Sequence, residues 1–395
     1  MIRKITVENF FSIGERQELD LSIAENATDL EERFALPNEC STVRIPRVIA
    51  LFGANASGKT NVIKALSFMQ IFISSSFLWP QGEENVLLPF LNEKMKGKST
   101  LLSMEFDLDF DFLGQGKRVP FQYELEICSF GKKILRETLK YRPEKRMRRL
   151  FERSGDDIKA SSDFNFPKSD PVRGKIRENA SVISTLAQFN HKFSQDLLVA
   201  FGVFFSNVNF LGKYKFDLAA VTKVYDESLV CFEDLKKNIL RFDLGISDIN
   251  LEKTSVGIRP KFVHEGLDTQ MDWEFESQGT QNFYRHHSML WGSLKTGGVA
   301  IIDEFDNDIH PILLPELLRK FQDPELNPLN AQLIFSCHNA SLLEHLTKEE
   351  VVFTDKNEKG MTEIYRLADV QGVRRDTNLY AKYLMGAFGA IPDIA

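Results

Sequence analysis

The stretch LFGANASGKTN, Leu51–Asn61, has the spacing G-x-x-x-x-G-K-[ST], with Gly53, Gly58, Lys59 and Thr60 at the defining positions. Glycines so placed let backbone N–H groups close around phosphate oxygens. The lysine brings a positive charge to the β- and γ-phosphates, and the hydroxyl offers one oxygen to a divalent cation. The flanks suit the motif. An apolar run, Val48–Phe52, precedes the loop, and Val62, Ile63, Leu66, Met69 and Ile73 recur after it at helical spacing. The loop should therefore open directly into a buried helix whose free N–H groups face the bound anion.

A second stretch, GGVAIIDEFDNDIHP (Gly297–Pro311), runs four apolar residues into Asp303 and Glu304, the form of a buried strand ending in two carboxylates. Alone, such a stretch is also an ordinary strand-to-loop transition. Paired with the glycine loop it offers a division of labour: Asp303 and the Thr60 hydroxyl hold Mg²⁺, and Glu304 polarises an attacking water. In LIFSCHNASLL (Leu333–Leu343) another apolar strand ends at His338. That histidine suits either orientation of the water at the γ-phosphate or plain capping beside a core.

These residues need elements to position them. Ile5, Val7, Leu19, Leu21 and Ile23 alternate with polar residues and predict an opening strand pair. Met104 to Phe110 and Phe121 to Ile127 alternate strictly and predict an antiparallel meander, with a polar turn containing Gly114 and Gly116. Residues 155–295 read as a second, mainly helical lobe. After it, strand Val299–Ile302, helix Ile312–Phe321, strand Leu333–Ser336 and a hairpin from Val351 to Arg366 restore α/β alternation. Apolar residues make up 43% and charged residues 27%, as in soluble globular chains, and four scattered cysteines show no metal spacing. With no signal-like start and apolar stretches read as shorter than a membrane span, the expectation is a cytoplasmic protein without membrane contact. A net charge of −7 excludes a surface basic all over. One local stretch, Gly131–Arg153, holds ten Lys or Arg against three Glu, and reads equally as a solvated hairpin or as a contact for DNA through residues 132–153.

Lys59 and Asp303 are 244 residues apart, so a lobe must be inserted between the two elements of the site. With ITVENFFSI (Ile5–Ile13), GANASGKTN, ESQGT (Glu276–Thr280), IDEFDNDIHP, CHNASLL and YLMGAFGAIPDI (Tyr383–Ile394), the chain resembles the RecF/SMC/OLD-type branch of ABC ATPases. Within that branch it looks like the stand-alone AAA family ATP-binding proteins of bacterial defence and abortive-infection loci. The resemblance implies an α/β fold: a P-loop NTPase of ABC type, with a mixed sheet plus an antiparallel β meander. Its nucleotide lobe would comprise 1–154 and 296–395, and the inserted lobe, 155–295, would end in the signature motif.

The resemblance also implies roles. Gly53, Asn55, Ala56, Ser57, Gly58, Lys59, Thr60 and Asn61 would hold ATP. Thr60 and Asp303 would hold Mg²⁺, Glu304 would be the catalytic carboxylate, and His338 the switch histidine. Ser277 and Gly279 would act on ATP bound to a second copy, with Asp306 and Asn307 passing between the copies. Gln278 stands where the usual signature has a glycine and Thr280 where it has a glutamine, and Gln122 and Gln188 are the candidates for the Q-loop. Only 57 residues follow His338, too few for a TOPRIM nuclease. The implied function is slow or partner-regulated ATP hydrolysis, driving head-to-tail association and controlling an effector, such as a nuclease, encoded separately. The alternative is a RecF/SMC-like DNA clamp.

Overall fold

Runs such as VIALF, VAII and the LIF of Leu333–Phe335 have no polar face, so they sit in a sheet covered on both sides. The computed structural model describes residues 1–29, 31–79, 87–110, 118–209, 211–213, 217–242, 245–255, 257–307, 309 and 311–391. In it these runs are the centre of a six-stranded sheet. Its order is Phe204–Ser206, Val299–Ile302, Gln332–Ser336, Val48–Phe52, Val351–Lys356 and Thr362–Arg366. The first five strands are parallel, and the last returns antiparallel as a hairpin.

Alternation within these strands divides the molecule into two cores. Ile49, Leu51, Val299, Ile301, Ile334 and Val352 face one side, where the phosphate helix Lys59–Ser75 lies. Val48, Ala50, Phe52, Ala300, Ile302, Leu333, Phe335 and Phe353 face the other, against helices Leu229–Phe242, Gln278–Thr296 and Leu314–Gln322. Beyond the phosphate helix, a seven-stranded antiparallel sheet closes the first core. Its order is Asp157–Ala160, Arg148–Ser154, Ile134–Tyr141, Arg118–Ile127, Thr100–Asp109, Ile2–Glu8 and Gln17–Asp20. Gln332, fully buried, ties the two sheets: its Oε1 accepts from Ile2 N at 2.7 Å and its Nε2 donates to Ile2 O at 3.1 Å.

Ile63, Phe68, Met69, Phe72 and Ile73 of the phosphate helix are all fully buried between the sheets. Each such side chain contributes about 1.5–3 kcal/mol relative to leaving it exposed. The run Lys59–Leu78 is in fact long and apolar enough to cross a bilayer, contrary to the expectation of shorter apolar stretches. Here those apolar residues serve the core.

The expected division at residue 155 does not coincide with a break in packing. Asp157–Ala160 is the edge strand of the antiparallel sheet, and Phe204–Ser206 is the edge of the parallel one. Helices Val182–Gln188 and Lys192–Phe201 bury Ile183, Leu186, Phe193 and Leu197 in the first core. Within residues 155–295, what packs outside that core begins at helix Leu218–Glu227 and includes a three-stranded sheet, Ile246–Thr254, Gly257–His264 and Met271–Asp272. The expected turn at Gly114 and Gly116 lies outside the described residues.

Candidate functional site

The phosphate loop is shaped by its neighbours as much as by its own glycines. Gly53 has φ +151° and Gly58 φ +119°; a Cβ on the first would lie 2.3 Å from Thr354 O and on the second 2.2 Å from Thr362 Oγ1. No side chain fits at either position. A relay of hydroxyls supports the loop from below: Asn61 Nδ2 donates to Ser12 Oγ at 2.6 Å, Ser12 Oγ meets Thr362 Oγ1 at 2.8 Å, and Thr362 donates to Ser57 O at 2.7 Å. Ser57 Oγ is also 2.6 Å from Thr354 Oγ1. The opening loop and the C-terminal hairpin thus hold the cradle open.

Lys59 Nζ folds onto the loop, donating to Gly53 O at 2.8 Å and Ala54 O at 3.0 Å. Burial lowers its pKa, and the nearby Asp303 and Asp306 carboxylates oppose that shift. A phosphate in the cradle would supply the counter-charge this ammonium is short of. Thr60 Oγ1 donates to Asp303, 3.1 Å from Oδ1 and 3.0 Å from Oδ2. A hydroxyl and a buried carboxylate form a hard-oxygen donor set that suits Mg²⁺, with waters and phosphate oxygens completing its octahedron. The residues fit the implied ion.

Ser336 was not foreseen from the sequence. Its hydroxyl donates to Asp303 Oδ1 at 2.5 Å and accepts from Glu304 N at 2.8 Å, so one side chain fixes both acidic residues. Glu304 has φ +53°, a left-handed conformation costing a non-glycine residue on the order of 1–3 kcal/mol. Its neighbours hold it there: Phe305 N donates to Ser336 O at 3.0 Å, and Asp306 Oδ2 accepts from His338 N at 3.0 Å and Asn339 N at 2.8 Å. Asp306, expected between copies, therefore binds the acidic loop to the histidine loop of its own chain. His338 is exposed at the end of the neighbouring parallel strand. Asp308 and His310 lie outside the described residues.

Ser277 is the N-cap of helix Gln278–Thr296, accepting from Thr280 N at 3.0 Å, and it is exposed; Gly279 sits in the first turn. Among the described residues no hydrogen bond joins either to the phosphate loop. Thr280 also meets the Ser277 hydroxyl at 2.8 Å, a reason for this residue at the departure from the usual signature. Of the Q-loop candidates, Gln122 lies in the meander beside Glu124 and Lys140, and Gln188 ends a helix. Among the described residues neither is tied to the acidic strand. Asn207 is, through both polar groups of its neighbour's backbone: its Oδ1 accepts from Asp303 N at 2.8 Å and its Nδ2 donates to Asp303 O at 2.9 Å.

The basic stretch folds as the strand pair Ile134–Tyr141 and Arg148–Ser154, and much of its charge is internally matched. Arg153 is buried beside Glu137 and donates to Ala180 O and Arg177 O; Arg136 and Arg149 pair with Glu152, and Lys140 with Glu124. Lys145 and Arg146 are exposed at the tip.

No curated protein matches the chain. Among solved structures it is similar to the SMC head domain from Thermotoga maritima, at 13% identity and a TM-score of 0.42, over 92% of this chain and 98% of that one. It is also similar to an SmcHead bound to the C-winged helix domain of ScpA, at 12% identity and a TM-score of 0.48, over 92% and 97%. A family profile, "AAA domain, putative AbiEii toxin, Type IV TA system", matches residues 48–344, a span running from the strand before the phosphate loop past Asp303, Glu304 and His338. The chain, a P-loop ATPase by fold, belongs to that AAA-domain family.

Proposed function

We propose that the protein binds and hydrolyses Mg²⁺·ATP, and that ATP joins two copies head to tail. In this reading Lys59 neutralises the β- and γ-phosphates, and Thr60 and Asp303 hold Mg²⁺, which supplies charge stabilisation at the transferring phosphoryl group when bound. Glu304 orients and polarises the water, and His338 reaches the γ-phosphate. The observation that carries it is the Thr60–Asp303 contact at 3.0 Å beneath the phosphate cradle, with Ser336 holding Glu304 next to it. The exposed Ser277 cap and Gly279, not bonded to their own loop, supply the hydroxyl and N–H groups of a helix N-terminus to a second copy's γ-phosphate.

The biological role in this proposal is regulatory: an ATP-gated subunit of an anti-phage system acting on an effector encoded elsewhere. Support comes from the family description and the sequence resemblance. The direct test is phosphate release by the purified protein with and without Mg²⁺. Turnover that disappears in Lys59→Ala and without Mg²⁺ supports the proposal; equal phosphate release from wild type and Lys59→Ala contradicts it.

DNA binding is favoured by one observation, the exposed Lys145 and Arg146 at the hairpin tip. A salt-sensitive DNA shift that is lost when both are neutralised supports this second reading, and a shift that persists removes the hairpin from it.

A further inference from the structure

The acidic strand is held from a direction that the catalytic scheme does not use. Asn207 follows the edge strand Phe204–Ser206 and clamps both the N–H and the carbonyl of Asp303, at 2.8 and 2.9 Å. The same Nδ2 is 3.3 Å from Nε2 of His286, a buried residue in the helix that Ser277 caps. That helix is also pressed onto the edge strand: a Cβ on Gly292 would lie 2.9 Å from Phe205 Cζ. On its other side the strand reaches the phosphate helix, where Ser206 Oγ meets Ser67 Oγ at 2.8 Å.

A displacement of the capped helix therefore has a short covalent and hydrogen-bonded route to the metal carboxylate: His286, Asn207, Asp303, Thr60. We propose that Asn207 is a positioning residue for the Mg²⁺ carboxylate, and that His286 makes that position depend on where the Ser277-capped helix sits. Engagement of the Ser277 end by a second copy's nucleotide then alters the metal site of the same chain, so the two composite sites of a pair are coupled. The inference rests on the reading of Thr60 and Asp303 as metal ligands.

Groups that orient a ligating side chain typically change metal affinity 10–100-fold when removed. The test uses Mn²⁺ as the probe ion, with its affinity read by electron paramagnetic resonance in the presence of a non-hydrolysable ATP analogue. Analogue binding in EDTA and thermal melting are measured alongside. Asn207→Ala is expected to weaken Mn²⁺ about tenfold while nucleotide binding in EDTA is unchanged. His286→Ala is expected to weaken it less, and His286→Gln, which keeps a polar group facing Asn207, to restore it. Ser277→Ala should shift Mn²⁺ affinity in wild type but not in the Asn207→Ala background.

Unchanged Mn²⁺ affinity in Asn207→Ala overturns the proposal. So does an equal Ser277→Ala shift in both backgrounds. If Asn207→Ala melts too low to assay, the His286→Ala and His286→Gln pair decides alone: equal affinity in both overturns the coupling. If wild type itself binds no Mn²⁺ with nucleotide, the metal-site reading fails first, an outcome separate from the failure of the relay.

Discussion

Glu304 and Ser336 show most directly what single residues contribute. The positive φ of Glu304 is strained and held by a serine hydroxyl shared with Asp303, which places backbone strain beside the group read as the catalytic carboxylate. Ser336→Ala should lower turnover about tenfold or more by loosening both carboxylates, with ATP affinity in EDTA unchanged. Steady-state kinetics beside fluorescent-nucleotide binding separate the two effects. Gly58→Ala should be severe in a different way, because its Cβ meets the Thr362 side chain at 2.2 Å in a left-handed backbone. The expected loss is about 1–3 kcal/mol of stability in urea melts, together with loss of nucleotide binding. Full nucleotide binding by this variant would show that the cradle tolerates a side chain.

At the scale of elements, the phosphate helix and the capped helix are held by different means. The first is apolar along most of its length, so Phe68→Ala, which empties a fully buried site, should cost about 3–5 kcal/mol in denaturant unfolding. The second buries Phe283, Tyr284 and Leu290 in the other core and adds polar contacts: His287 Nε2 is 2.8 Å from Asp234 Oδ2, and His287 Nδ1 is 3.3 Å from the Tyr225 hydroxyl. Burial lowers the His287 pKa below its ordinary 6.5, against the pull of Asp234. The folded state therefore binds fewer protons here than the unfolded chain, so stability rises with pH up to the unfolded value and is lost as pH falls below it. Urea melts at pH 5.5 and 7.5 should show a smaller acid loss for His287→Gln than for wild type. An identical acid loss would mean that His287 does not titrate differently on folding.

Legibility in the sequence followed the same division. Elements with a local signal were readable: the glycine loop, the apolar run into Asp303 and Glu304, the strict alternation of Met104–Phe110 and Phe121–Ile127, and the hairpin from Val351 to Arg366. The edge strand Phe204–Ser206 was not, because three residues carry no periodicity. Asn207, Ser336, Thr354 and Thr362 escaped for a related reason. Each is a single polar residue without a motif, and its partner is distant in sequence: 96 residues for Asn207 and Asp303, 305 for Thr362 and Ser57. The charge of the basic stretch was legible, but its neutralisation was not, since the partners lie on neighbouring strands and Arg153 turns inward.

At the scale of the whole molecule, the phosphate cradle, the acidic strand and the histidine loop gather at one end of the parallel sheet, while the capped helix presents Ser277 outward. In the proposed pairing one chain carries two half-sites, and a second copy completes each. Glu304→Gln should retain ATP and remain paired, seen as a doubled mass in light scattering with Mg²⁺·ATP that is absent without nucleotide. A more direct measurement mixes two inactive variants, Lys59→Ala and Ser277→Arg, and follows phosphate release. In a mixed pair one composite site keeps both an intact loop and an intact cap, so turnover should return to about a quarter of wild type. A mixture as inactive as its parts, from chains that are folded and beside an active wild type, would contradict a site shared between copies.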